Sequence, residues 1–161
     1  MNKQIAIFAS GCFWGTEYFF NKQEGVILTD VGYIGGNIDN PTYKDVCSGN
    51  TNHAEATLVT YDSNIVSYED LCKLFFETHN PEQEDRQGPD IGTQYRSEIF
   101  YLNFEQKKIA EKLILILKSK SFVIKTKISK ASKFWKAENY HQNYYKNNGG
   151  TPYCHGYEKK F

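Results

Sequence analysis

Apolar and polar positions along this chain fall into two alternating periods. Ile5 to Ala9 is a short unbroken apolar run, the pattern of a strand buried on both faces. From Phe13 to Lys22, the large side chains Trp14, Tyr18 and Phe19 recur at helical spacing and Gly25 closes the segment. Ile27 to Tyr33 reads as a second strand. Ala54 to Tyr61 alternates, setting Ala54, Ala56 and Leu58 against Glu55, Thr57 and Val59. Ser67 with Asp70 three residues on marks a helix start, and Leu71, Leu74, Phe75 and Thr78 follow on one face. Ser97 to Leu102 is strand-like. Asn103 is placed to cap a long helix over Phe104 to Lys118, striped by Ile109, Leu113, Ile116 and Leu117. Phe122, Ile124, Thr126 and Ile128 alternate with lysines, as in an edge strand guarded by charge.

Between these elements lie a Gly/Asn-rich loop to about Asn52 and a polar loop over Asn80 to Gln94. Trp135 to Gln142 has the spacing of an ordinary amphipathic helical face, and a Gly/Asn-rich tail follows. Interleaved strands and helices, with some short strand-to-strand spacings, predict a mixed sheet in a single α+β domain over residues 1–161. No repeat or interdomain linker is visible.

Composition narrows the function classes. Nineteen basic and nineteen acidic side chains cancel, so nothing favours nucleic acid or an anionic membrane as partner. The longest apolar stretch, Leu113 to Leu117, is too short to span a bilayer. No secretory signal is apparent, and the expected location is cytoplasmic. The four cysteines, Cys12, Cys47, Cys72 and Cys154, admit three pairings; a reducing compartment favours free thiols or a transient bridge. Zinc-ligand spacings, glycine-rich nucleotide loops and P-loops are missing, so no bound metal or cofactor is expected.

Cys12 carries the sharpest chemistry. It lies between Gly11 and Phe13-Trp14 at a strand-to-helix turn, where unpaired backbone N–H groups favour a thiolate. A buried structural cysteine is the competing reading. Glu55, an acid between alanines on a strand, gains a raised pKa if buried and then holds a proton near neutral pH. The loop from Gly88 to Ser97 carries more hydrogen-bonding side chains than a turn requires.

Four strings occur in order along the chain: Gly11-Cys12-Phe13-Trp14-Gly15; Tyr43 with Cys47-Ser48-Gly49 and His53-Ala54-Glu55; Asp90 with Gly92-Thr93-Gln94-Tyr95-Arg96-Ser97; and Glu138 with Tyr140-His141-Gln142. Together they resemble peptide methionine sulfoxide reductases of the A type, over nearly the whole chain. The resemblance implies an α/β sandwich around a mixed, partly rolled sheet with a ferredoxin-like core. It also implies reduction of the S epimer of methionine sulfoxide, free and in proteins. Cys12 matches the nucleophile and Glu55 the proton donor. Tyr43 and Tyr95 match the phenols that hold the sulfoxide oxygen, and Phe13 and Trp14 the cage around the S-methyl group. Asp90 and His141 match positions that contact the substrate backbone.

Such a cycle leaves Cys12 as a sulfenic acid, which condenses with a nearby thiol. Cys154, in a tail over about 147–161 with a flexible Asn147–Thr151 segment, matches the resolving cysteine, and thioredoxin is the implied reductant. The family's Gly-Tyr-Cys string is Pro152-Tyr153-Cys154 here, and Asn52 stands where glycine commonly precedes His-Ala-Glu. Cys47 and Cys72 are expected to be packing residues, and the chain a monomer. Two other classes remain open: a thiol peroxidase or redox sensor using Cys12, and an aromatic-rich peptide-binding module. Both leave most of the site roles unfilled.

Overall fold

A computed structural model describes residues 1–161. Strand β1 (Lys3–Ser10) leads into helix α1 (Phe13–Asn21), strand β2 (Val26–Ile34), the short helix α2 (Tyr43–Cys47) and strand β3 (Ala54–Asp62). Helix α3 (Tyr68–Glu77) follows, then a small hairpin of β4 (Arg86–Gln87) and β5 (Asp90–Ile91), strand β6 (Ser97–Tyr101) and helix α4 (Phe104–Ser119). Strands β7 (Lys127–Lys130) and β8 (Trp135–Lys136) and helix α5 (Tyr144–Asn148) complete the chain. Six strands form one sheet in the order β7-β6-β1-β3-β2-β8. All its pairings are antiparallel except β6 with β7. The inner four strands, with α1 and α3 as crossovers, make the ferredoxin-like β-α-β-β-α-β unit.

The alternation in β3 decides what lies on each face. Val59 and Tyr61 join Ala6, Phe8 and Ile99 under α3 and α4, where Leu71, Phe75, Leu113 and Leu117 are fully buried. Ala54 and Ala56 face the other way with Ile7, Ala9, Ile34 and Phe100, covered by Leu58, Ala131 and Phe134 rather than by a helix. Ser67 accepts from the Asp70 N–H, and Asn103 from that of Gln106, so both expected helix starts carry side-chain caps.

Three segments depart from the sequence reading. The Trp14-Tyr18-Phe19 face of α1 is only half-buried; the buried face is Phe13, Thr16, Glu17 and Phe20. Glu17 is accommodated there because its carboxylate accepts from Thr29 Oγ1 and from the Asn143 N–H. The expected strand from Phe122 becomes regular only at Lys127. Before that its backbone pairs with a loop, Lys125 N donating to Pro81 O at 2.8 Å and Val123 N to the Glu82 carboxylate. Trp135 to Gln142 forms no amphipathic helix. It is a two-residue strand and a single 3₁₀ turn, Asn139–His141, because its side chains are spent on bonds to β2 and α2.

Because Leu113 is fully enclosed between α3 and the sheet, Leu113→Ala is expected to lower stability by about 2–5 kcal/mol. Leu115→Ala, on the exposed face of the same helix, should stay within about 0.5 kcal/mol. Denaturant midpoints at unchanged slope measure both.

Candidate active site

The site lies where β1 ends and α1 begins. Gly11 takes a positive φ of 99°, turning the chain against the Gln87 side chain, where a Cβ would collide. Cys12 then stands at the N-cap of α1 with a non-helical backbone, its carbonyl accepting from Gly15 N at 3.1 Å. Its side chain is 8 % exposed. Burial, reinforced by the Glu55 carboxylate, holds the thiol far above the ordinary thiol range, and the Trp14 N–H lowers it only in part. The expectation of a resting thiolate is therefore corrected. One helix-start N–H does not offset the desolvation of a buried sulfur.

Glu55 enters from the helix-facing side of β3, an interior strand, and is 1 % exposed. Its Oε1 accepts from the Phe13 N–H at 3.3 Å and its Oε2 from Gln94 Nε2 at 2.8 Å. Burial raises its pKa to about 7 against the pull of those two donors, with the Asp90 charge adding to the rise. Glu55 thus keeps its proton in a substantial fraction of molecules at neutral pH.

Two phenols converge on the same carboxyl. Tyr43 opens α2, a helix started by a reciprocal capping box between Thr42 and Asp45. Tyr95 sits on a 3₁₀ turn, Thr93–Tyr95, held by Arg96. The Arg96 guanidinium donates to Glu98, to Thr93 O at 2.9 Å and to Asn52 O at 3.0 Å, tying this turn to the loop before β3. Asn52 takes a left-handed φ of 58°, the conformation a glycine there would supply. Both hydroxyls are pushed to higher pKa, first by burial; the Glu55 charge contributes at each.

The apolar wall is Phe13 and Trp14, braced by His141. That imidazole is 0 % exposed; its Nδ1 accepts from Trp14 Nε1 at 3.0 Å and its ring packs 4.5 Å from Tyr43 and 5.1 Å from Phe13. Trp14 stacks flat on Tyr144, with centroids 3.7 Å apart. Asp90, on the β4–β5 hairpin at the rim, accepts from the Tyr153 hydroxyl at 2.9 and 3.0 Å.

The C-terminal segment crosses the site. Cys154 is half-buried, and the Cys12 N–H reaches its sulfur. Burial first, then the Asp90 charge, pushes the Cys154 thiol up to about 12. All four cysteines are free. Cys72 is fully buried, as expected of a packing residue. Cys47 is not one: it is exposed at the end of α2, where its sulfur accepts from Gln94 Nε2 at 3.6 Å.

Several supporting residues were not singled out by sequence reasoning. Gln94 links Glu55 to Cys47. Glu138 accepts from the Tyr33 hydroxyl and from the Tyr43 N–H, both at 2.9 Å, joining α2 to β2. Gln142 pairs with both the N–H and the carbonyl of Val31, extending the sheet edge beyond β8. Gln94, Glu138 and Gln142 all lie inside the four strings, which was the signal available.

Residues 4–160 match the family model described as peptide methionine sulfoxide reductase. The chain belongs to this family. Similar curated proteins named "Peptide methionine sulfoxide reductase MsrA" include that of Deinococcus radiodurans, 52 % identical over 155 residues, covering 94 % of this chain and 75 % of the relative. That of Pasteurella multocida is 49 % identical over 152 residues, covering 94 % and 87 %. Among solved structures, reduced Mxr1 from Saccharomyces cerevisiae superposes with a TM-score of 0.90 at 32 % identity, covering 98 % of this chain and 93 % of that one. Methionine sulfoxide reductase A of Corynebacterium diphtheriae gives 0.83 at 34 %, covering 94 % and 79 %. As a member of the methionine sulfoxide reductases, the chain is an oxidoreductase that returns methionine sulfoxide to methionine. None of its helices is long and apolar enough to cross a membrane.

Because the folded state lifts the Glu55 pKa from 4.5 to about 7, its stability cost is nearly absent at acid pH, grows as pH rises through that window and is constant above it. Glu55→Gln should therefore gain stability relative to the parent between pH 5 and pH 8, by roughly 2 kcal/mol. Denaturant unfolding at the two pH values measures this, and an equal difference at both would contradict it.

Proposed function

We propose that Cys12, Glu55, Tyr43 and Tyr95 carry out the reduction, within a single catalytic domain spanning residues 1–161. The observation that carries this reading is the protonatable Glu55, buried beneath the helix that presents Cys12 and faced by two phenols. A sulfoxide sulfur is a poor electrophile until its oxygen is protonated or strongly hydrogen-bonded. Tyr43 and Tyr95 donate to that oxygen and Glu55 gives it a proton. As Cys12 attacks sulfur, its thiol proton passes to the Glu55 carboxylate. The S–O bond breaks, the hydroxyl ends on Cys12 as a sulfenic acid, and methionine leaves. A neutral Glu55 also removes the charge that opposes thiolate formation at Cys12. Nucleophile activation is thereby tied to the acid being loaded with its proton.

Phe13 and Trp14 hold the S-methyl group by shape, since a methyl offers no hydrogen bond, and this selects the S epimer. His141 acts on the substrate through the indole it orients. Asp90 takes the substrate backbone once Tyr153 releases it. Cys154 then attacks the sulfenic sulfur, giving a Cys12–Cys154 disulfide and water. A thioredoxin dithiol reduces that disulfide; the yeast protein Mxr1 has been solved in complex with Trx2, a structure whose 23 % identity and TM-score of 0.66 reflect the shared fold. The enzyme works as a cytoplasmic monomer on free and protein-bound methionine sulfoxide, with no bound cofactor.

With dithiothreitol and resolved epimers, methionine should form from the S epimer only. Cys12→Ser should abolish turnover, and Cys72→Ser should leave it largely intact. Cys154→Ser should keep turnover with dithiothreitol and lose it with thioredoxin. A Cys12–Cys47 bridge in peptide maps after one turnover would overturn the resolving assignment. Turnover with dithiothreitol should also decline as pH rises through about 7, where Glu55 loses its proton.

A further inference from the structure

His155 follows Cys154 and is buried in a notch of the fold. A Cβ built on Gly15 would collide with its ring, nearest Nδ1, and one on Gly11 would come within 3.6 Å of its Cε1. Glycine at position 15 is therefore what lets the imidazole lie against the first turn of α1, with Gly11 at ordinary contact distance. Its Nε2 is 2.6 Å from the Ser10 carbonyl oxygen. A carbonyl only accepts, so Nε2 carries the hydrogen. In the neutral ring, Nδ1 is then left with a free lone pair. That nitrogen lies 3.1 Å from Cys154 Sγ.

Burial keeps the ring neutral by pushing its pKa down to about 4, against the opposing influence of the Ser10 carbonyl and the Asp90 carboxylate. The charged and titratable groups that bear on it are Asp90 from the β4–β5 hairpin, Cys154 beside it and His79 beyond the end of α3. Asp90 is also within reach of the Cys154 thiol, where its negative charge raises the thiol pKa, and its oxygens share the Tyr153 hydroxyl hydrogen.

Cys154 presents a problem that the roles assigned so far leave unsolved. Its thiol is held at about 12, so the free thiolate is scarce at neutral pH, and the proton must leave as the sulfur attacks. We propose that His155 is a catalytic residue of the second half-reaction, the base that accepts the Cys154 proton through Nδ1. This rests on Cys154 being the resolving thiol. As the S–S bond forms, the Cys154 S–H bond breaks and its proton moves to Nδ1. The Cys12 S–O bond breaks, and the departing hydroxide takes the proton from Nδ1 as water. One water leaves and no external oxidant or reductant takes part. The Ser10 carbonyl fixes the tautomer and stabilises the transient imidazolium, as an orienting acceptor does for other catalytic histidines.

The test is single-turnover kinetics with stoichiometric methionine sulfoxide, reading methionine release and thiol loss separately. In the unaltered protein, the disulfide step should be nearly flat between pH 6 and pH 9. A rise of about tenfold per pH unit, the mark of a thiolate supplied by solvent, would overturn the proposal without any variant. In His155→Asn, the disulfide step should slow about a hundredfold at pH 7 relative to methionine release and acquire that tenfold-per-unit slope. A merely structural role would lower the rate without changing the slope. An unchanged rate and slope in this variant would likewise overturn the assignment. Cys154→Ser separates this inference from the reading beneath it. If that variant still forms an intramolecular disulfide, Cys154 is not the resolving thiol; if it does not, and His155→Asn is indistinguishable from the parent, only the role of His155 falls.

Discussion

The burial of one carboxyl group on an interior strand organises the rest of this molecule. Glu55 reaches the helix side of the sheet only because β3 alternates strictly and lies between β1 and β2. Once there, it needs donors. The first helical N–H of α1 and the Gln94 amide supply two. Those two bonds fix the start of the helix that presents Cys12 and the turn that presents Tyr95. The same burial leaves the acid with a pKa near neutrality. Positioning and proton affinity therefore have a single physical origin.

Around that group the site is assembled by side chains reaching across long sequence separations. Glu138 holds α2 against β2, Arg96 holds the Tyr95 turn against the loop before β3, and His141 props the Trp14 indole. These bonds pair backbone N–H and C=O groups, a phenol hydroxyl and an indole N–H with side chains, so the scaffold and the cage share their polar groups. The aromatic wall borders a groove lined by Trp14, Tyr18, Tyr144 and Tyr145.

Much of this was legible along the chain because its signals are local. The apolar run before Cys12, the alternation around Glu55 and the Asn103 cap depend on neighbours within a few residues, and those elements lie where the pattern put them. Helix α2 hid inside a polar loop, although Thr42 and Asp45 spell a capping box. A five-residue helix has too few apolar positions to show a period. Trp135 to Gln142 misled for a different reason. Its spacing resembles a helical face, but Gln142 bonds Val31, 111 residues away, and tertiary partners overrode local preference. The resting state of Cys12 was misjudged because a helix start is visible in sequence, whereas the desolvation that outweighs it is a property of the finished fold.

The C-terminal segment is fastened on both sides of Cys154. Tyr153 is held by Asp90 before it; after it, Glu158 N donates to Glu77 O at 2.7 Å and Phe161 packs on Phe76. Cys154, the thiol proposed to resolve the sulfenic acid, is thus the middle of a short bridge rather than the end of a loose tether, and its local concentration at Cys12 is set by the fold, far above that of dissolved thiols. A sulfenic acid formed beneath such a bridge meets its partner before it meets a second oxidant. The architecture therefore limits how long Cys12 is exposed to irreversible oxidation, so that a repair enzyme can operate in the oxidising conditions that create its substrate.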